Sequence, residues 1–131
     1  SGGLLSSRLT DIPGASDCLK YTLVTYSNES KIKFLGLSPA SLKKHGAVSD
    51  AIAIAMAKGV RKHLKCDFGL SITGIAGPSG GSQTKPVGLT YIAIHTKKET
   101  LCLKCLFSGP RKRIKKDAST QALNLLLEFI Q

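Results

Sequence analysis

Val87-Gly88-Leu89-Thr90-Tyr91-Ile92-Ala93-Ile94-His95-Thr96-Lys97-Lys98-Glu99-Thr100-Leu101-Cys102-Leu103-Lys104-Cys105-Leu106-Phe107 reads as two β-strands, Val87 to His95 and Glu99 to Phe107. The short polar link Thr96-Lys97-Lys98 between them makes a hairpin. Phe68 to Thr73, just upstream, has the same character, and Tyr21 to Tyr26, made of aromatic, Thr and Val residues, predicts a further strand.

Helices fill the space between the strands. Gly3 to Thr10 suits a short helix that ends before Pro13-Gly14. Ser27-Asn28 supplies capping chemistry for a helix to about Leu35, stopped by Gly36. Ser38-Pro39 opens another short piece ending near His45-Gly46. Ser49 caps a longer helix from Asp50 to about Leu64, whose stripe is Ile52, Ala55, Met56, Gly59, Val60 and His63. The last helix runs from about Arg111 to Ile130, with Ile114, Ala118, Ala122, Leu125 and Phe129 as its buried stripe. Strands mixed with helices, one hairpin included, predict a single α/β domain over residues 1–131, a three-layer α/β/α arrangement with a mixed β-sheet.

Composition limits what such a domain does. The 131 residues carry 19 Lys plus Arg against 8 Asp plus Glu, a net charge of +11, yet 42% are hydrophobic and 21% charged. That is enough apolar material for a core, so a disordered basic tail is excluded. No apolar run approaches the ~20 residues of a membrane span, and no charged leader with a hydrophobic stretch is present, so the expectation is a soluble, cytoplasmic protein with no membrane partner. Cys18, Cys66, Cys102 and Cys105 are scattered through apolar segments and read as buried thiols. Cys102 and Cys105 have the spacing of a redox pair, but residues three apart on a strand point to opposite faces, and nothing completes a four-ligand metal site.

Three places offer chemistry. The glycine-rich loop Gly74-Ile75-Ala76-Gly77-Pro78-Ser79-Gly80-Gly81 exposes backbone that a phosphate can approach, although its spacing matches neither a P-loop nor a dinucleotide fingerprint. From composition it is a ligand loop or a flexible connection. His45, His63 and His95 stand apart, without metal spacing, and read as capping or surface imidazoles. Lys31 falls near a helix amino terminus, where the dipole eases loss of a proton and a neutral lysine can act as a base. Ser1 precedes Gly2-Gly3 at another helix start, where amide N–H groups can stabilise an anion.

Five ordered stretches together are more specific than any one. Ser1-Gly2-Gly3-Leu4-Leu5 with Arg8-Leu9-Thr10-Asp11-Ile12-Pro13-Gly14, then Val24-Thr25-Tyr26-Ser27-Asn28-Glu29-Ser30-Lys31, His45-Gly46-Ala47-Val48-Ser49, Thr73-Gly74-Ile75-Ala76-Gly77-Pro78 and Lys85-Pro86-Val87-Gly88 span the whole chain. This series resembles the CinA carboxy-terminal domain family, the nicotinamide-nucleotide amidohydrolases.

The resemblance implies hydrolysis of the carboxamide of nicotinamide mononucleotide, a small-molecule nucleotide substrate, to nicotinic acid mononucleotide and ammonia. The reaction belongs to pyridine-nucleotide salvage, without metal or other cofactor, and uses a serine nucleophile and a lysine base. It casts Lys31 as base, Tyr26 as its hydrogen-bonding partner and Ser1 as the hydroxyl before the glycine pair. Gly2, Gly3, Thr73, Gly74, Gly77 and Gly80 are expected at the substrate. The family's first motif reads Glu-Ser-Cys-Thr/Ser-Gly-Gly, so on this likeness the chain starts inside that motif, lacking the family's N-terminal segment, and the attacking hydroxyl is that of Ser1 or of the serine two places earlier. Family members associate, so a homo-oligomer is expected.

Arg111-Lys112-Arg113-Ile114-Lys115-Lys116 places five cations in six residues at a helix start, where the dipole disfavours them and the family commonly has an acid in place of Pro110. Either this is a solvated face, or an anion compensates it, from a bound phosphate or a neighbouring subunit's carboxylates. Aromatics are only 5% and no recognition motif accompanies the run, so nucleic-acid binding is disfavoured. The rival functions are a catalytically inactive domain of the same fold that binds a nucleotide or mediates assembly, and, behind it, a basic nucleic-acid-binding module.

Overall fold

The serines expected to cap three helices, and the glycine expected to stop one of them, do so in the computed structural model, which describes residues 1–131. Ser27 is extended, and its Oγ accepts from the Ser30 amide at 3.1 Å while Ser30 Oγ accepts from the Ser27 amide at 3.2 Å. This reciprocal box starts α2 (Asn28–Leu35), and Gly36, at φ 69°, ends it in the left-handed region that suits glycine. Ser38 caps α3 (Pro39–His45) with Pro39 in the first turn, and Ser49 caps α4 (Asp50–Leu64) by accepting from the Ile52 amide. Ahead of these stand α1 (Leu4–Thr10) and a single 3-10 turn, Ala15–Asp17. Helix α5 (Arg111–Ile130) begins after Pro110 without a side-chain cap.

Strands β1 (Gly69–Gly74), β2 (Leu89–His95) and β3 (Thr100–Leu106) form one sheet in the order β1-β2-β3. Gly69 faces His95 in the first pair, and Leu89 faces Leu106 in the second. The hairpin forms as expected, its turn closed by Thr96 N donating to Glu99 O at 2.8 Å.

The α/β class holds, but the sheet is not mixed: both pairings are antiparallel. A parallel pair needs a crossover, usually helical, and the Ile75–Gly88 loop between β1 and β2 turns back without one. The strand expected over Tyr21 to Tyr26 is also absent, as these residues join no ladder. The segment is held instead by side chains: the Tyr21 hydroxyl donates to Val60 O, and Lys31 Nζ donates to Thr25 O at 2.6 Å. β-Propensity describes a side chain that fits a pleated surface, and here no strand lies alongside to complete one.

The sheet is covered on both sides. On one face α4 packs against β1, β2 and β3, with Ala53 and Ala57 on Ala93. On the other, α5 sets Ala122 and Leu125 against Ile92 and Ile94, and α1 lies on α5. Arg8 ties α1 down, its guanidinium donating to Ser119 Oγ and Thr120 Oγ1, each at 2.7 Å. A third cluster, Leu35, Leu37, Leu42, Ile52 and Met56, joins α2 and α3 to α4.

Helix α4 is therefore buried on two sides, which changes the stripe read from its sequence. Ile52, Ala53, Met56 and Ala57 are its buried residues, and His63 lies outside the core, exposed, with its ring edge-on to Tyr21 and Nε2 at the Phe34 carbonyl. Backbones come very close on both sides. A Cβ on Gly69 would stand 2.1 Å from Ala57 O, and one on Gly59 would stand 2.5 Å from Leu35 O. Only glycine permits either approach.

The thiols are less buried than expected. Cys18 follows the 3-10 turn and is exposed, and the other three are half-buried. Cys102 and Cys105 oppose Ala93 and Thr90 of β2 and point to opposite faces. No helix is long and apolar enough to cross a membrane.

Candidate active site

One large cleft, of about 1520 Å³, gathers residues far apart in sequence. Ser1, Gly2 and Gly3 line it, together with Tyr26 and Lys31, and so do Thr73, Gly74, Gly77 and Gly80. All nine residues singled out from the sequence thus border the same space.

Lys31 is the most constrained of them. It lies in the second turn of α2, and only 6% of its surface is exposed. Its one hydrogen-bond partner is the neutral carbonyl of Thr25, at 2.6 Å, and no carboxylate pairs with it, because the chain's single side-chain ion pair joins Arg113 to Asp117. A buried ammonium without a counter-ion is poorly solvated, so burial pushes the Lys31 pKa below the ordinary lysine value of 10.5.

Gly2 and Gly3 have φ of 63° and 93°, so the chain enters α1 through two residues in a region that side chains disfavour. Gly3 caps α1 without a side-chain acceptor. Across from this turn, Lys115 Nζ stands 3.7 Å from where a Cβ on Gly2 would sit. Lys115, Lys31 and Arg111 line the same cleft as Ser1. The surroundings of Ser1 are cationic.

Arg111 joins three elements at the mouth of the cleft. From the first turn of α5 it donates to Gly77 O at 2.7 Å and to the Tyr26 hydroxyl at 3.1 Å. Tyr26 itself is 76% exposed and makes no hydrogen bond to Lys31, so it is not the partner of the lysine that the resemblance implied. Thr25 O holds that place, because the extended chain turns the neighbouring carbonyl, and not the phenol, toward Nζ. Gly77, at φ 75°, precedes a cis bond to Pro78, and Gly80 also has positive φ. The Thr73 hydroxyl donates to Ala47 O at 2.8 Å, which brings Ala47 and Val48 to the cleft wall.

The basic run at the start of α5 divides accordingly. Arg113 pairs with Asp117 at 3.2 Å, so its compensating charge comes from its own helix. Arg111 and Lys115 turn to the cleft, while Lys112 and Lys116 are exposed. Sequence reasoning had singled out the run as a unit but not Lys115 or Thr25 as cleft residues. The spacing of Arg111 and Lys115, four apart on one helix face, was the available signal.

Known proteins share this chain's sequence and fold. The family model described as CinA C-terminal domain matches residues 1–130. A relative from Moorella thermoacetica that carries the competence-damage inducible name is 51% identical over 96% of this chain and 30% of its own length. A CinA-like protein of Acidobacterium capsulatum is 48% identical, again over 96% of this chain and 30% of its own. This chain therefore spans about a third of the length of these curated relatives. Among solved structures, competence/damage inducible protein CihA from Agrobacterium tumefaciens superposes with a TM-score of 0.96 at 36% identity, covering 99% of this chain and 80% of that one. A CinA superfamily protein from Escherichia coli gives 0.93 at 31% identity, covering 98% of this chain and 74% of that one. With a matching model over nearly every residue and a shared fold, the chain belongs to the CinA C-terminal domain family.

Proposed function

We propose that this domain hydrolyses the carboxamide of nicotinamide mononucleotide to nicotinic acid mononucleotide and ammonia. The observation that carries the reading is the buried Lys31, without a carboxylate partner, on the wall of a cleft that also holds Ser1 and the glycine loop. Its depressed pKa enlarges the neutral fraction near pH 7, and a neutral amine accepts a proton.

In this mechanism Lys31 takes the proton of the attacking serine hydroxyl, and the oxygen adds to the carboxamide carbon. Collapse of the tetrahedral adduct breaks the C–N bond, and Lys31 returns the proton to the departing ammonia. Water then cleaves the acyl-enzyme ester by the same base, releasing the acid and restoring the serine. Ser1 is the hydroxyl that this chain brings to the cleft next to the glycine pair. Arg111 and Lys115 supply positive charge where the nucleotide phosphate binds, and the glycine loop supplies backbone to the nucleotide.

Ammonia release from nicotinamide mononucleotide by the wild type, lost in Lys31→Ala, supports the proposal. Nucleotide binding without ammonia release rejects it, in favour of an inactive nucleotide-binding domain.

A further inference from the structure

Two of the five stretches that mark the chain, His45-Gly46-Ala47-Val48-Ser49 and Lys85-Pro86-Val87-Gly88, have no part in the proposed reaction, and the structure joins them. Lys85 Nζ donates to the His45 carbonyl at 2.6 Å, forty residues away. The next two carbonyls of the same turn are also taken by side chains: Ser49 Oγ donates to Gly46 O at 2.8 Å, and Thr73 Oγ1 donates to Ala47 O at 2.8 Å. Three consecutive carbonyls are thus held from three separate places, the far end of the glycine loop, the start of α4 and the end of β1.

The turn is shaped for this. Gly46 has φ 75° and ψ 159°, a conformation essentially confined to glycine, and a Cβ there would stand 2.9 Å from Lys85 Nζ. Lys85 is itself fixed in the chain, since its N–H donates to Ser82 Oγ at 3.0 Å and its carbonyl accepts from Ser82 N at 2.8 Å. Two residues on, Val87 fills the middle of the loop. A Cβ on Gly77 would lie 2.4 Å from Val87 Cγ1, and one on Gly81 would lie 2.9 Å from Cγ2.

From this arrangement we infer that Lys85 is a positioning residue: its bond to His45 O fixes the glycine loop against the Ala47–Val48 wall and so presets the ligand-binding shape of the cleft. The donor is charged, which makes for a stronger bond than a neutral pair, and although the contact lies at the exposed rim, no other side chain of the 82–87 segment makes a hydrogen bond across to this turn. The inference rests on the proposed reading only for the identity of the ligand.

Lys85→Met and Lys85→Arg test it by hydrogen exchange of the amides of residues 75–86, followed alongside those of β2 and β3. In Lys85→Met the loop amides should exchange about tenfold faster or more with β2 and β3 unchanged, and Lys85→Arg should recover most of the protection. Loop exchange equal to wild type, or acceleration spread equally over the sheet, overturns the inference. With nicotinamide mononucleotide as substrate, Lys85→Met should raise KM about tenfold and leave kcat within about twofold. A fall in kcat at unchanged KM also overturns it. If the wild type releases no ammonia, the proposed activity fails while the exchange result still decides the role of Lys85.

Discussion

Lys31 and Thr25 are bound to each other across six residues, the ammonium donating to the carbonyl at 2.6 Å with no carboxylate to share the charge. The pair fixes the lysine's height above the cleft, and it also gives folding a dependence on pH.

The folded-state pKa of Lys31 lies below its unfolded value, so between the two the unfolded chain binds more protons and stability rises with pH. The penalty for burying the ammonium is fully present below the folded pKa and gone above 10.5. Lys31→Met should therefore gain stability relative to wild type at pH 7, and the gap in Tm should narrow as pH approaches 10.5. A gap independent of pH would mean that the lysine is not strained by its burial. In activity, kcat/KM should rise with pH through the depressed lysine pKa, and Lys31→Ala should cost about 10²–10⁴-fold.

Gly69→Ala should destabilise the domain by about 3 kcal/mol, because the new methyl meets Ala57 O at 2.1 Å and Arg61 Cβ at 2.8 Å, and neither a helix backbone nor a strand yields easily. Gly36→Ala meets nothing within 4 Å and carries only the strain of its φ of 69°, about 1 kcal/mol. Urea unfolding of both variants checks the order, and equal losses would show that backbone proximity at β1 is not what selects the glycine.

Arg8→Ala should cost about 2 kcal/mol, since one guanidinium nitrogen serves both Ser119 Oγ and Thr120 Oγ1 and thereby fastens α1, with the Gly2-Gly3 turn, to α5. Thermal unfolding measures the loss. Amides of α1 should lose protection before those of the sheet.

Among the thiols, Cys18 should react first with a maleimide at pH 7.5, being exposed. Burial pushes Cys102 up to about 11 and raises Cys105 as well, so both stay protonated and slow. Mass spectrometry of partially labelled protein should find Cys18 modified well ahead of Cys102. Equal labelling would contradict the placement of Cys102 under α4.

Local chemistry made much of this fold legible. Ser27, Ser38 and Ser49 cap three helices, and Gly36 ends one, because these bonds are made within a few residues of chain. The hairpin was readable for the same reason. The pairing of β1 with β2 was not, nor the failure of Tyr21 to Tyr26 to join a ladder, since both depend on which backbone lies alongside. The stripe of α4 was misread because a helix buried on two sides shows no single period: Ala53 and Ala57 face the sheet while Ile52 and Met56 face α2 and α3. At the candidate site, types and positions were legible from motif order, but burial was not. Nothing in Tyr26-Ser27-Asn28-Glu29-Ser30-Lys31 says that the lysine folds inward onto Thr25, or that Arg111, 85 residues on, takes the tyrosine hydroxyl.

The two close approaches on α4 together act as a spacing gauge. Lys31 rides on α2, which rests on Gly59 through the Leu35 backbone, and Thr73 rides on β1, which rests on the Ala57 backbone through Gly69. Both walls of the cleft are thus referred to one helix through main-chain contacts. Side-chain substitutions in the core can drift in size and repack while the distance between the lysine and the glycine loop stays the same, so long as those two glycines are kept.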